Sequence, residues 1–167
     1  PDFLISGDPW FRPVDFQLGP DGALYVADFY NRIIGHYEVR LDHPGRDRET
    51  GRIWRLVYNG PKGERLAKSV NLPVAPLDQA IAELASPLLA RRMTATDYLA
   101  DDAGQHAVAP LGQAMARAGA KPELKAHGAW VLHRLGQLDE ATQLRLANDK
   151  SELVRVHARR VTGAQKN

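Results

Sequence analysis

Residues 8–56 read DPWFRPVDFQLGPDGALYVADFYNRIIGHYEVRLDHPGRDRETGRIWRL, and the reading of this stretch decides the fold. Val14-Asp15-Phe16-Gln17-Leu18 and Ala23-Leu24-Tyr25-Val26-Ala27 are two short alternating runs of β-prone residues. Gly19-Pro20-Asp21-Gly22 joins them. Proline presets φ in a turn, Asp caps nearby backbone and Gly accepts positive φ, so the two runs are predicted to form a hairpin. A third run begins at Arg52-Ile53-Trp54-Arg55-Leu56, continues through Val57-Tyr58, and ends at Asn59-Gly60. Between hairpin and third strand lies a long polar loop carrying Asn31, Arg32, His36, His43, Arg46, Asp47 and Arg48. Three strands need a packing partner to be stable. The β region is therefore expected to be one unit of a larger sheet assembly.

Working outward, Pro1–Gly7 is an extended lead-in, and Pro9 and Pro13 exclude a helix before the hairpin. Residues 61–76 mix prolines, charges and a glycine without periodicity, and read as a linker. Helical spacing then takes over. Leu77, Ile81 and Leu84 form one apolar line. Ser86-Pro87 reads as an N-cap followed by proline in the first turn of a helix burying Leu88, Leu89, Met93 and Leu99 and ending near Asp101–Gly104. His106–Ala118 groups Val108, Leu111, Met115 and Ala118 before Gly119. Lys121-Pro122 opens a helix carrying Leu124, Gly128, Val131, Leu132 and Leu135, with Gly136 as its stop. A weaker helix spans Asp139–Ala147, and Ser151 caps a last one lined by Val154, Ala158 and Val161. Helix starts recur at Pro87, Pro122 and Ser151, which points to HEAT-like stacking of helix pairs. The expected fold class is α+β: a small antiparallel, propeller-blade-like β unit at 1–60, a linker at 61–76, and a HEAT-like α-helical repeat stack at 77–167.

The composition of the 167 residues, 44% hydrophobic and 25% charged, is that of a globular chain. Residues 1–70 hold ten acidic and ten basic side chains, and 71–167 hold ten and twelve, so the second half supplies the net charge of +2. That surplus is too small for a nucleic-acid footprint. The absence of cysteine excludes disulfides, thiolate metal sites, Cys nucleophiles and thioether-attached haem within these residues. No apolar run approaches the roughly 20 residues of a membrane span. The chain starts at Pro1 directly in strand-like sequence, and its last repeat has one helix only. Both features read as a piece of a longer protein.

The strings WFRPVDFQLGPDGALYVADFYNRIIGHYE and HPGRDRETGRIWRL together carry a resemblance. GPDG, LYV, IGH and GRIWR occur in the order seen in the last propeller blade of large exported bacterial proteins described as membrane-bound dehydrogenases or haem-binding proteins. In that family a β-propeller similar to glucose/sorbosone dehydrogenases precedes HEAT-like helices, and a c-type haem domain with a CxxCH motif commonly follows. The resemblance implies a parent with sugar-oxidation or electron-transfer chemistry, an extracytoplasmic or periplasmic location, and pyrroloquinoline quinone with Ca²⁺, or c-type haem, as cofactor. This chain holds no CxxCH and one blade at most, so no cofactor is expected within it and no catalysis by it alone.

Candidate site residues follow from loop position. His36, after Gly35, is the candidate catalytic residue, as a base or cofactor contact; its plainer reading is a hydrogen bond to a backbone carbonyl. Asp28 and Asn31 offer oxygens of the kind Ca²⁺ takes, but two fall short of six to eight, and capping of the turn is the alternative. Arg12, Arg46, Arg48 and Arg52 suit an anionic cofactor, or ion pairs with Asp42, Asp47 and Glu49. No metal site is predicted. His127, His133 and His157 lack acidic partners at ligand spacing, and Trp130 is expected to pack. Arg91, Arg92, Lys125, Arg155, Arg159 and Arg160 recur along the helices as solvated faces or a docking ladder for an acidic partner. No nucleophile elbow, phosphate loop, dinucleotide fingerprint, HExxH or EF-hand is present. Three roles follow: a junction and docking surface inside a propeller–HEAT dehydrogenase, a protein–protein interaction module without redox function, and a nucleic-acid binder, disfavoured by charge.

Overall fold

The Gly19–Gly22 turn closes as the sequence predicts. Gly22 adopts φ 77° and donates its N–H to the Gly19 carbonyl at 2.9 Å, while the Gly19 N–H donates to the Ala23 carbonyl at 2.9 Å. A Cβ at Gly19 would run into the Tyr25 ring, so glycine is required there by close approach. The computed structural model describes residues 2–33, 35, 38–60 and 68–164. They divide into two units, Pro1–Leu66 and Ala67–Asn167.

In the first unit, β1 (Pro13–Leu18), β2 (Leu24–Asp28) and β3 (Arg52–Leu56) form an antiparallel sheet in the order β1-β2-β3, with a bulge between Pro13 and Asp15. The register sets Phe16, Val26 and Trp54 in one row, and Leu18, Leu24 and Leu56 in the next row of the same face. Only the central strand is covered: Val26 is 3% exposed, whereas Phe16 is 69% and Leu18 66% exposed. Val57 and Tyr58 lie beyond β3 and are exposed, so the third strand is shorter than its alternation suggests.

Among the described residues of the second unit six helices follow: α1 (Leu77–Glu83), α2 (Leu89–Asp101), α3 (Val108–Ala116), α4 (Pro122–Arg134), α5 (Glu140–Ala147) and α6 (Glu152–Ala164). α1 packs on α2, α3 on α4 and α5 on α6, while α4 also packs against both α2 and α6. Leu84, Leu99, Leu111, Val131, Val154 and Val161 are fully buried between them. Each such side chain contributes roughly 1.5–3 kcal/mol relative to exposure. Gly128 lets α4 approach α3, because a Cβ there would meet the Met115 Sδ at 2.6 Å. Pro122 occupies the first turn of α4, and Gly136, at φ 67°, ends it with the Gln137 N–H donating to the Leu132 carbonyl at 2.8 Å. Asp139 caps α5 by accepting the Thr142 N–H at 2.6 Å.

Several expectations need correction. α2 starts at Leu89 rather than Pro87, because the Ser86 hydroxyl accepts the Leu88 N–H at 3.3 Å in a local turn instead of capping the helix. Of the expected apolar line Leu99 is buried, but Leu89 and Met93 are exposed, and Ala95, Thr96 and Ala100 are buried in their place. α3 is preceded by a 3₁₀ turn at Gly104–Ala107 and stops at Ala116, leaving Ala118 exposed. The expected linker does not extend to residue 76, since Leu72, in a 3₁₀ turn at Leu72–Val74, is buried in the helical core.

Candidate functional site

The end of β2 carries the densest polar wiring of the first unit. Asp28 is 3% exposed. Its Oδ1 accepts the Arg12 N–H at 2.8 Å and the Tyr30 N–H at 2.9 Å, and its Oδ2 accepts the Trp54 indole N–H at 2.9 Å. One carboxylate thus ties the start of β1, the exit of β2 and the side chain of β3. Burial pushes its pKa up, but the Trp54 indole, the two backbone donors and the Arg52 charge outweigh this and hold it below the ordinary Asp value. The turn it caps places Tyr30 at φ 49°, a left-handed conformation uncommon outside glycine. Trp10 stacks near the Tyr30 ring at 5.7 Å, and the Arg52 guanidinium lies 3.2 Å from that ring's centroid.

Asn31, 2% exposed, mimics a strand partner. Its amide N–H donates to the Asp47 carbonyl at 2.8 Å and its Oδ1 accepts the Asp47 N–H at 2.9 Å. Asp47 in turn accepts the Glu49 N–H at 2.9 Å, the Thr50 N–H at 3.0 Å and the Thr50 hydroxyl. The Thr50 hydroxyl and these backbone donors hold its pKa down. Arg46 donates to the carbonyls of Arg40 (3.1 Å), Val39 (2.8 Å) and Gly35. Arg12 donates to the Phe11 carbonyl at 2.8 Å and the Arg32 carbonyl at 3.4 Å. A cleft of about 600 Å³ opens between these loops, lined among others by Phe29, Asn31, Leu41, Arg46 and Arg48.

The structure therefore gathers Arg12, Asp28 and Arg52 around Tyr30, and Asn31 with Arg46 at the cleft. His36, the candidate catalytic residue, lies outside the described residues. Three of the roughly four acceptor positions of Asp28 are taken by protein donors, and both ends of the Asn31 amide are used. These two side chains do not fit a Ca²⁺ site. Among the described residues no three His, Asp or Glu groups gather as metal ligands. Among the described residues Arg46 and Arg48 make no close ion pair with Asp42, Asp47 or Glu49, although the charge of Arg48 acts on Asp42 and that of Arg52 on Asp47. Asp42 pairs with Arg40 at 2.7 Å and Arg52 with Asp8 at 3.7 Å, while loop carbonyls take Arg46.

Four of the six residues of the basic ladder are used internally, while Arg159 and Arg160 are exposed. Arg92 donates to the Ser86 and Pro87 carbonyls at 2.7 and 3.1 Å, and Arg155 donates to the Asp149 and Lys150 carbonyls, both at 2.9 Å. The spacing from donor to acceptors is the same in both. Lys125 pairs with Asp149 at 2.7 Å, and Arg91 with Glu83 at 3.8 Å. Trp130, expected only to pack, also donates its indole N–H to His157 Nδ1 at 2.9 Å. Asp21, expected only to cap the turn, accepts the Ala23 N–H at 3.1 Å and also takes the Tyr25 hydroxyl at 3.0 Å and the Arg55 guanidinium at 2.8 Å. The alternation of Tyr25 and Arg55 onto one face was the available signal.

No helix among the described residues is long and apolar enough to cross a membrane. No curated protein and no solved structure matches the chain. Residues 1–60 match a family described as a domain of unknown function, DUF7133, so the matched part takes in the sheet and its long loop and ends before the helices.

Proposed function

We infer that this chain is a structural junction of an exported propeller–HEAT dehydrogenase: a blade-like sheet that docks on further sheet, and helices that act as spacer and docking surface. The observation that carries this reading is the uncovered apolar sheet face. Phe16 and Leu18 stand exposed on it, and Trp54 is 46% exposed. A sheet buries such a face against another layer when its assembly is complete. The resemblance supplies the dehydrogenase chemistry, with quinone and Ca²⁺ or haem bound by the parent outside this chain. The internal use of Asp28 and Asn31 supports a supporting rather than catalytic role. Calorimetric titration with pyrroloquinoline quinone plus Ca²⁺ tests it: the parent protein is expected to bind, and this chain not to. Failure of the parent to bind would remove the redox reading.

A second reading, an interaction module without redox function, is favoured by the helix arrangement. α2, α4 and α6 contact in succession and each is backed by the preceding helix, as in an α-solenoid of HEAT type. A nucleic-acid role loses support, because Arg92, Lys125 and Arg155 are committed to internal contacts.

A further inference from the structure

Two contacts between neighbouring helices use an imidazole as acceptor. Arg92 on α2 donates its Nε–H to His127 Nε2 on α4 at 3.3 Å. A guanidinium has donors only, so His127 Nε2 is unprotonated and the ring proton sits on Nδ1. Thr96 Oγ1 lies 2.9 Å from that Nδ1, and the Thr96 hydroxyl proton is given to the Arg92 carbonyl at 2.7 Å. Nδ1–H therefore donates to Thr96, and the network closes only around a neutral ring. At the next interface, Trp130 on α4 donates to His157 Nδ1 on α6. Indole is likewise donor only, so this Nδ1 carries no proton either. A proton added to either ring sets donor against donor.

We propose that His127 and His157 form an acid-released double joint, whose protonation uncouples α4 from α2 on one side and from α6 on the other. The surroundings oppose that proton. Burial first, then the charges of Arg92 on α2 and His157 on α6, lower the His127 pKa to about 4, while Glu123 on α4 acts weakly the other way. Burial and Arg160 lower that of His157. His133 faces Trp130 edge-on at 5.9 Å. Two further links do not depend on imidazole: Lys125–Asp149 toward α6, and Arg134 with Asp97 and Asp101 on α2. They leave the helices tethered when the joints open.

Because both rings bind protons more weakly folded than unfolded, the helical unit loses stability as pH falls below the ordinary His value of about 6.5. The experiment is urea unfolding of the whole chain, followed by helical circular dichroism at about pH 7 and about pH 5. The comparison is the double variant His127→Gln/His157→Asn, whose amide oxygens replace Nε2 and Nδ1 as acceptors without titrating. The wild-type folding equilibrium is expected to weaken at the lower pH by on the order of tenfold or more, and the variant's by much less. An equal loss in both proteins, or none in the wild type, overturns the proposal. Should the variant not fold, NMR titration of the wild-type rings decides. Titration of both below the ordinary value, with loss of the Trp130 indole N–H resonance as His157 protonates, supports the joint; either ring titrating at or above it refutes the idea.

Discussion

The two units solve the same problem with opposite chemistry. The most buried of the described residues of the first are Ala23, Val26, Asp28 and Asn31, two small apolar side chains and two polar ones. The second buries a continuous set of Leu, Val and Ala across all six helices. The sheet is therefore held by backbone pairing and by polar side chains that stitch loops to strands, with its larger apolar groups turned outward. The helices are held by a core. A polar knot costs much when one atom is removed, because every donor aimed at it is orphaned at once. A core fails more gradually, in proportion to the volume deleted.

This contrast can be broken, from the largest effect to the smallest. Asp28→Ala leaves the Arg12 and Tyr30 N–H groups and the Trp54 indole without their acceptor, at roughly 1–3 kcal/mol for each donor that stays unpaired. The expected result is loss of the Trp54 indole N–H resonance and of sheet signals, with helical signals kept. Intact sheet resonances in this variant would show that the knot is not what holds the unit. The same carboxylate gives a pH signature. Its folded pKa is depressed, so its stabilisation is complete above the ordinary value of about 4 and drains as pH falls through the lower folded one. Sheet resonances should fade there, well below the window in which the histidine joints act.

Leu99→Ala, at a position with no exposure, is expected to cost about 2–5 kcal/mol in urea unfolding followed by helical circular dichroism. A loss under about 1 kcal/mol would mean that the core collapses around the cavity. Asn31→Ala removes the two bonds to the Asp47 backbone. We expect the Asp47 amide to exchange with solvent at least tenfold faster, about 1.4 kcal/mol of lost protection. The smallest change is Phe16→Lys. Exposed as it is, this ring should matter by no more than about 0.5 kcal/mol to the chain itself. Its expected effect is on assembly: sedimentation should show less self-association than the wild type, and identical profiles would argue that the face is not adhesive.

What the chain owed to local order was readable. The Gly-Pro-Asp-Gly turn, the three alternating runs, and Pro122 and Gly136 at the ends of α4 all act within a few residues, where φ preference and spacing suffice. The full buried face of α2 was not readable in that way. The expected line of Leu88, Leu89, Met93 and Leu99 is right at Leu99, but packing against neighbouring helices leaves Leu89 and Met93 exposed and buries Ala95, Thr96 and Ala100 instead. The site shows the same division. Asp28 and Asn31 were visible as oxygens at a strand end, but their partners Trp54 and Asp47 stand 26 and 16 residues away. Arg92 meets His127 across 35 residues and Trp130 meets His157 across 27. Local sequence specified the order and kind of the strands and helices and several of their ends, because those depend on torsions and nearest neighbours. Tertiary structure alone decided which polar groups meet, because a hydrogen bond between distant residues exists only once the packing has brought donor and acceptor together.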